Sequence, residues 1–327
     1  MDGDGGADAP RAGARGRAAL STASPAAAAP RVSAIVVSYN TREDLLRCLE
    51  ALRAHTAVAL ETIVVDNASS DGTVEAVRAR FPDVRLIANA ANLGFSRANN
   101  LGLRAARGEF VLILNSDCEV REGAVAALAA ILEGRPDVAI VGPRTVGTGG
   151  APQVSFGPAL TPLAEWRQGR LVRGVKAGDA AALRRARALT DHEQEPDWVS
   201  ASCFLARRQA LNAVGGFDES FFLYEEDVDL CVRVRQSGGR VLYTPAAEVV
   251  HHLGRSMEHS PERARLEYHR SHLRFYAKHN SAAERTLLRA WMAGRAAWGW
   301  LGAGSGKAGQ QRRAEERAIL NLALLGR

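Results

Sequence analysis

Short apolar runs alternate with helical patterns along the first half of this 327-residue chain. Residues 32–38 (VSAIVVS) form a β-branched run of the kind found in buried parallel strands. Similar runs follow at residues 63–65, 84–88, 110–114 and 138–141, with apolar residues at helical spacing between them. Because strand and helix alternate, the pattern predicts an α/β fold with a mostly parallel, Rossmann-like sheet flanked by helices.

Polar residues stand directly after three of these runs. Two runs are followed by Tyr39-Asn40 and Asp66-Asn67, and a third ends in Asn115-Ser116-Asp117. Ligands of an open α/β sheet bind outside the carboxyl ends of its strands, so three such endings predict one binding crevice. Each ending alone is equally consistent with a turn, because Asn and Asp favour turns. After the first run, Thr41 and Asp44 also have the spacing of a helix-capping box.

Residues 221–235 (FFLYEEDVDLCVRVR) place four carboxylates between an aromatic run and a basic segment. The apolar spacing predicts a helix that begins at this acidic cluster. One interpretation is that the acids only favour the positive end of the helix dipole. The other is functional, because like charges beside apolar surface raise one another's pKa and so prepare a carboxylate to take up a proton. The four carboxylates are Glu225, Glu226, Asp227 and Asp229.

The remaining segments give less regular patterns. Residues 1–30 lack the apolar core of a signal peptide and predict a disordered leader. Residues 143–196 predict an insertion or mobile loop with a short helix near residues 180–188, simple disorder being the alternative. Residues 198–205 and 240–243 predict further strands.

Basic and aromatic residues interleave at helical spacing after residue 261, which predicts a C-terminal helical extension. Helices that carry arginines with Trp291, Trp298 and Trp300 suit an anionic membrane surface. Packing of these helices on the rest of the protein, with Trp in a core, is an equal alternative. Nucleic-acid binding is the weakest interpretation, since the chain has no nucleic-acid-binding motif.

The net charge and the cysteine content of the chain narrow the choice of partners and of cellular compartment. A net charge of +6 suits anionic partners such as sugar nucleotides, nucleic acid or anionic lipid. The four cysteines are scattered without a CxxC pair, which indicates a reduced, cytosolic setting. No G-x-G-x-x-G opens the first helix, so a dinucleotide-binding unit is disfavoured.

Six motifs occur in a fixed order: VVSYN (36–40), VVDNASSDGT (64–73), NLGFSRANN (92–100), LILNSD (112–117), GGFDESFFLYEEDVDLCVRVRQSG (215–238) and HHLGRS (251–256). Over about residues 31 to 280 the chain resembles the family 2 glycosyltransferases, particularly their rhamnosyltransferase-like branch. The resemblance implies a GT-A fold, inverting transfer from a nucleotide-activated sugar, and a divalent metal, Mg²⁺ or Mn²⁺.

On the donor side, the resemblance implies that Asp66 accepts a hydrogen bond from the base and that Asn67 helps to hold the nucleoside. Asn92, Gly94 and Arg97 lie on a loop that enters a helix, where N–H groups and a cation suit phosphate or ribose. Solvation of the helix surface is the alternative for Arg97. The other implied donor-binding residues are Val37, Ser38, Tyr39, Asn40, Asn115 and Ser116.

For the chemistry, the resemblance implies that Asp117 binds the metal and that Asp227 is the general base. Most members of the family have Asp-x-Asp at the positions that correspond to residues 115–117. This chain has Asn-Ser-Asp there, which leaves Asp117 as the one carboxylate that can bind the metal. His251 would complete the metal site, with His252 as its rival, because neighbouring residues of a strand point in opposite directions. Glu226 would orient the acceptor or the base.

The sequence therefore predicts an inverting, metal-dependent glycosyltransferase that uses a dTDP- or UDP-sugar and a cell-surface glycan or lipid-linked acceptor. Its catalytic domain would span residues 31–260, with a nucleotide-sugar half (31–142), the insertion (143–196) and an acceptor half (197–260). Residues 261–327 would form the helical, membrane-surface segment of a cytoplasmic protein that is peripheral on the inner face of the membrane. The alternatives are a nucleotide-sugar or glycan-binding protein without turnover, and a nucleotidyltransferase.

Overall fold

The computed structural model describes residues 29–252 and 261–325, together with residues 1, 3 and 5. Almost all of the predicted leader, residues 1–30, lies outside the described residues. Gly254 and Ser256 of the motif at residues 251–256 also lie outside the described residues. Within the described part, strands and helices alternate from Val32 onward, as the sequence predicts.

The strands, in chain order, are β1 (Val32–Ser38), β2 (Leu60–Asp66), β3 (Arg85–Ala88), β4 (Phe110–Asn115), β5 (Cys118–Val120), β6 (Val138–Val146), β7 (Pro152–Gln153), β8 (Phe156–Gly157), β9 (Trp198–Val199), β10 (Cys203–Arg207) and β11 (Arg240–His251).

The helices are α1 (Arg42–His55), α2 (Thr73–Arg80), α3 (Phe95–Ala105), α4 (Ala124–Gly134), α5 (Pro162–Lys176), α6 (Ala180–Thr190), α7 (Arg208–Ala213), α8 (Glu226–Gln236), α9 (Pro261–His279), α10 (Ala282–Leu301) and α11 (Lys307–Leu325).

The main sheet of the described residues has nine strands, in the order β3-β2-β1-β4-β10-β6-β11-β5, with β7 paired to β6. Strands β3, β2, β1 and β4 are mutually parallel, and β6 is parallel to β11. Strand β10 runs antiparallel between β4 and β6, and β5 is antiparallel to β11. The predicted mostly parallel sheet is therefore confirmed, with an antiparallel insert at its centre.

Alternate residues of the strands pack into cores on the two faces of the sheet. Ala34 and Val36 belong to the core that includes α1 and α4, whereas Ile35 belongs to the core that includes α3 and α8. A third core joins α8 to the C-terminal helices through Val228, Phe275 and residues of α10 and α11. The predicted C-terminal extension thus packs on the helix that begins at the acidic cluster.

The structure differs from the predicted elements in the middle of the chain. The predicted strand at residues 198–205 is interrupted, because residues 200–202 separate β9 from β10. The predicted short helix near residues 180–188 is part of α6, while α5 was not predicted. The division into donor half, insertion and acceptor half stays a prediction.

The predicted capping box at the start of α1 is wrong. The Thr41 side chain makes no cap hydrogen bond within the described part of the chain. Its Oγ1 lies instead 3.1 Å from Ser38 Oγ and 2.9 Å from Ser116 Oγ. Asp44 pairs with Arg47 on the same helix. The Thr41 hydroxyl therefore joins the ends of β1 and β4 and does not cap the helix.

Among the described helices, none combines the length and the apolar character that crossing a membrane requires.

Candidate active site

The carboxyl ends of β1, β2 and β4 meet at one edge of the sheet. Ser38 is in register with Asp66, and Val37 is in register with Asn115. Because the three strands are parallel neighbours, the polar residues that follow them open onto the same crevice. The predicted convergence of the three strand ends is confirmed.

Strands β5 and β11 bring Asp117 and His251 together at this edge. Their antiparallel pairing sets His251 opposite Cys118, next to Asp117 in the chain. The Nε2 atom of His251 lies 3.3 Å from Asp117 Oδ1. His252 donates its backbone N–H to Asp117 O at 2.9 Å, but its ring contacts Glu119 at 2.8 Å. The two histidines point apart, and His251 is the one beside Asp117.

Asp117, Cys118 and His251 place possible ligand atoms within 4.8 Å of one another. The Cys118 thiol donates to Ser202 O at 3.3 Å, and burial raises its pKa well above the usual value. Cys118 is a poor candidate ligand for Mg²⁺ or Mn²⁺, because these cations prefer oxygen ligands to thiolate. The remaining carboxylate and imidazole suit Mn²⁺, or Mg²⁺ held mostly by carboxylate, phosphate and water.

The interruption between β9 and β10 ties the acidic cluster to the sheet. Ala201 donates its backbone N–H to Asp227 Oδ2 at 2.9 Å. The carbonyl of the next residue, Ser202, accepts a hydrogen bond from the Asn115 N–H at 2.9 Å. Val228 N–H donates to the other oxygen of Asp227 at 2.9 Å. The first turn of α8 is therefore fixed against the end of β4 through two adjacent backbone groups.

Asp227 and Glu226 share a poorly hydrated environment. Burial, opposed by the hydrogen bond from Ala201, raises the pKa of Asp227 to about 6. Burial and the adjacent Asp227 charge raise the pKa of Glu226 well above its usual value. The Oε2 atom of Glu226 is buried without a hydrogen-bond partner among the described residues. Of the two carboxyl groups, the environment therefore favours the protonated form most strongly at Glu226.

These groups line one cavity of about 550 Å³. Asp117 and His251 line it together with Glu226 and Asp227. The other predicted site residues that line it are Val37, Tyr39, Asn67, Asn92, Gly94, Asn115 and Ser116. Most of the predicted donor-binding residues and all of the predicted catalytic and metal-binding residues are thus brought together.

Comparisons with known proteins identify the family of the chain. A family model described as Glycosyl transferase family 2 matches residues 33–188. The chain is 32% identical over 271 residues to the N-acetylglucosaminyl-diphospho-decaprenol L-rhamnosyltransferase of Mycobacterium tuberculosis, a match that covers 78% of this chain and 87% of that protein. The chain belongs to glycosyltransferase family 2. This glycosyltransferase moves a sugar from a nucleotide donor.

Two further comparisons support the assignment of the glycosyltransferase. It is 28% identical over 225 residues to the low-salt glycan biosynthesis hexosyltransferase Agl10 of Haloferax volcanii, covering 67% of this chain and 66% of that one. Its fold is similar to that of the mannosyltransferase PcManGT of Pyrobaculum calidifontis, solved with GDP-Man and Mn²⁺, with a TM-score of 0.54 and 20% identity. That likeness covers 91% of this chain and 88% of the other, and it confirms the GT-A fold.

Four predicted donor-binding residues of the glycosyltransferase do not line the cavity. Ser38 is buried beside Thr41, and Asn40 accepts the Ser70 N–H at 2.8 Å. Asp66 accepts the Ser69 N–H through Oδ2, while its buried Oδ1 has no partner among the described residues. The fourth, Arg97, is exposed on α3 and lies 3.5 Å from Glu219, which matches the alternative of a helix-surface residue. Its predicted role in donor binding stays a prediction.

Helix α9 supplies part of the cavity wall, which the sequence did not predict. Arg263, Glu267 and Tyr268 line the cavity from this helix. The aromatic and basic spacing of residues 263–279 gave the only sequence signal for this wall.

The other two carboxylates of the acidic cluster turn toward α9. His272 lies 3.0 Å from Glu225 Oε1. Lys278 and His279 lie 2.6 and 2.7 Å from Asp229 Oδ1. The cluster is therefore shared between the cavity, which Glu225, Glu226 and Asp227 line, and contacts with α9, which Glu225 and Asp229 make.

Proposed function

We propose that this glycosyltransferase inverts the anomeric centre and moves a sugar, with rhamnose as the first candidate, from a dTDP- or UDP-sugar to a glycan hydroxyl. The observation that carries the proposal is that Asp117, His251 and Asp227 line one cavity of about 550 Å³. Such a volume lies within the usual range of small-ligand pockets. The rhamnose donor is suggested by the function of the mycobacterial relative.

On the donor side, Asp66 stands directly before Asn67, which lines the cavity, and its buried Oδ1 has no partner among the described residues. We propose that binding of a uracil or thymine base opens a path to this oxygen, which then accepts the imide N–H. Asn67 supports the loop that would face the nucleotide, since its Nδ2 donates to Gly94 O at 3.1 Å. Gly94 has a φ of 83° and packs against Phe222, in the segment that precedes the acidic cluster. An added Cβ at Gly94 would meet Phe222 O at 2.6 Å. Only glycine therefore allows this close approach of the donor loop.

A divalent cation would be held by Asp117 and His251, with water and the donor diphosphate completing its shell. When bound, the cation supplies charge that stabilises the departing nucleoside diphosphate. A single protein carboxylate is compatible with such a site, because Mg²⁺ and Mn²⁺ retain several non-protein ligands.

On the acceptor side, ionised Asp227 removes the proton from the attacking hydroxyl. The acceptor oxygen forms a bond to C1 as the bond from C1 to the phosphate oxygen breaks, and the nucleoside diphosphate leaves with the electron pair. Glu226, whose pKa is raised by burial and by the charge of Asp227, would donate a hydrogen bond from its carboxyl to a sugar hydroxyl and orient it. One displacement inverts the configuration at C1.

The acceptor is proposed to be lipid-linked, because the name of the mycobacterial relative includes a diphospho-decaprenol. Such an acceptor would be reached at an anionic membrane surface. Helix α10 packs inward through Leu288 and Met292, which leaves its three tryptophans outside the core. Trp298 is 80% exposed and Trp291 52% exposed. With the exposed Leu287 and Leu301 they form a stripe along one helix face.

Arginines accompany this stripe. A groove of about 960 Å³ between α9, α10 and α11 is lined by Trp291, Trp298, Arg295 and Arg312. Both acids in the groove pair with Arg265, and no ion pair involves Arg295 or Arg312 within residues 29–252 and 261–325. Aromatic rings flanked by such arginines suit the interface of an anionic bilayer.

Replacing Asp227 with Asn should lower the transfer rate by about a hundredfold to ten-thousandfold, the usual contribution of a general base. The amide oxygen can still accept the Ala201 N–H, so nucleotide affinity should stay within about twofold. Transfer of labelled sugar and calorimetric nucleotide binding measure the two effects. Glu219→Gln, outside the cavity, is the control. A parallel collapse of nucleotide affinity would contradict the assigned role.

The transfer rate should rise with pH through about 6, because only the ionised Asp227 accepts a proton. Below that pH the carboxyl is protonated and kcat should fall about tenfold per pH unit. Steady-state rates between about pH 5 and 8 at saturating donor measure this rise of kcat with pH. A flat profile in the wild type would show that another group is the base.

Removal of divalent metal with a chelator should stop transfer, and Mn²⁺ should restore it. Asp117→Asn and His251→Ala should each weaken Mn²⁺ binding by at least about tenfold, as the loss of a ligand does. Calorimetry with Mn²⁺ in the presence of nucleotide gives a readout independent of activity. Cys118→Ala is the control and should leave Mn²⁺ affinity unchanged. Equal Mn²⁺ affinity in all three variants would exclude this metal site.

The protein should float with vesicles that contain phosphatidylglycerol and less with vesicles of phosphatidylcholine alone. Trp298→Glu should abolish flotation, because it puts a charge in the apolar stripe of α10. Thr286→Glu adds the same charge on another face of α10 and should float like the wild type. If both variants float equally well, the stripe does not bind membranes; if Trp298→Glu converts a dimer to a monomer, the stripe is an interface between copies.

A further inference from the structure

The turn before α8 has an unusual backbone. Tyr224 has a φ of 71° and Glu225 a φ of 64°, so two consecutive non-glycine residues are left-handed. Residues in this conformation are strained and persist only where surrounding contacts hold them. The turn lies directly before Glu226 and Asp227, so its conformation sets where both carboxyl groups enter the cavity.

Helix α9 holds this turn at three successive points. The Ser271 hydroxyl donates to Leu223 O at 2.7 Å. The ring of Tyr268 packs edge-on against Tyr224, with 5.7 Å between centroids. His272 binds Glu225, the residue directly before the helix, through Nδ1 at 3.0 Å. One face of α9 therefore holds the main chain of the turn at Leu223, the ring of Tyr224 and the carboxylate of Glu225.

His272 also joins the turn to α5. Its Nε2 lies 3.2 Å from Glu165 Oε2, and Tyr276 donates its hydroxyl to the other oxygen of Glu165 at 3.1 Å. Burial alone would lower the pKa of His272, but the hydrogen bonds to Glu165 and Glu225 outweigh it and raise the pKa to about 9. His272 is therefore an imidazolium at neutral pH, with each N–H directed at one carboxylate.

We propose that His272 is a positioning residue for transfer, which holds the left-handed turn through Glu225 and so places Asp227 against the acceptor hydroxyl. This inference rests on the proposed role of Asp227 as general base. His272 lies outside the family match at residues 33–188, and it acts through Glu225 without touching the reacting atoms.

The two-sided contact of His272 explains why a neutral residue would not replace it. A neutral side chain at position 272 can bind one carboxylate but not compensate both, so Glu165 and Glu225 would repel each other across it. The left-handed turn would then lose its charged support while the donor loop and the end of β4 stay in place. A displacement of about 1 Å in a reacting group is enough to cost as much as a hundredfold in rate.

The test compares kcat with nucleotide binding in three variants. His272→Gln and Glu165→Gln should each lower kcat by about tenfold or more, while donor KM, nucleotide Kd and binding stoichiometry stay at wild-type values. The double variant should be no slower than His272→Gln, because both residues act through one unit. Arg289→Gln, which removes an exposed hydrogen bond from α10 to the main chain of α11, is the matched control and should keep kcat within about twofold.

The outcomes separate this proposal from the proposed function. If His272→Gln and Glu165→Gln keep wild-type kcat while Asp227→Asn is inactive, the positioning role is wrong and the general base stands. If nucleotide stoichiometry falls in proportion to kcat, His272 is needed only for folding, which also overturns the proposal. Retained transfer in Asp227→Asn would instead remove the function on which the proposal depends. Should His272→Gln fail to fold, Glu165→Gln gives the same comparison.

Discussion

The hydrogen bond from the Ala201 N–H to Asp227 is the contact on which the geometry of the site depends. Ala201 is free to make it because residues 200–202 lie between β9, which pairs with β8 in a small second sheet, and β10 of the main sheet. In a continuous strand this N–H would belong to the ladder with a neighbouring strand. The adjacent Ser202 carbonyl binds Asn115, so one short interruption fixes α8 relative to the end of β4.

The four carboxylates of the acidic cluster divide into two pairs with opposite electrostatics. Asp229 is held by Arg233, Lys278 and His279, and Glu225 is held by His272. Burial would raise the pKa of Asp229, but the hydrogen bonds from His279 and Lys278 lower it. Glu226 and Asp227 have no such cation in the described part of the chain, and their pKa values rise. The outer pair is thus balanced by cations, whereas the inner pair relies on the two backbone N–H groups that bind Asp227 and on raised pKa values that favour the uncharged form.

Much of the sheet and its crevice could be predicted from the sequence, because parallel strands put their carboxyl ends at one edge and Asn or Asp residues end three of the runs. The choice between His251 and His252 could not be made, since it depends on the pairing of β5 with β11. The continuous strand predicted at residues 198–205 was wrong because its apolar composition hides the break at residues 200–202. The capping box was wrong for a similar reason, since the Thr41 hydroxyl contacts Ser116, 75 residues away.

The role of α9 was the least predictable part of the site, since nothing in the local pattern of residues 261–279 says which helix it packs against. Long-range contacts supply the reason. Lys278 and His279 look like part of a solvated basic face in the sequence, yet both bind the buried Asp229. Helix α8 offers them a partner because its first turn carries more acid than the cavity uses, and this surplus draws the cations of α9 inward. The C-terminal extension is therefore electrostatically part of the active site, although it lies outside the matched family segment.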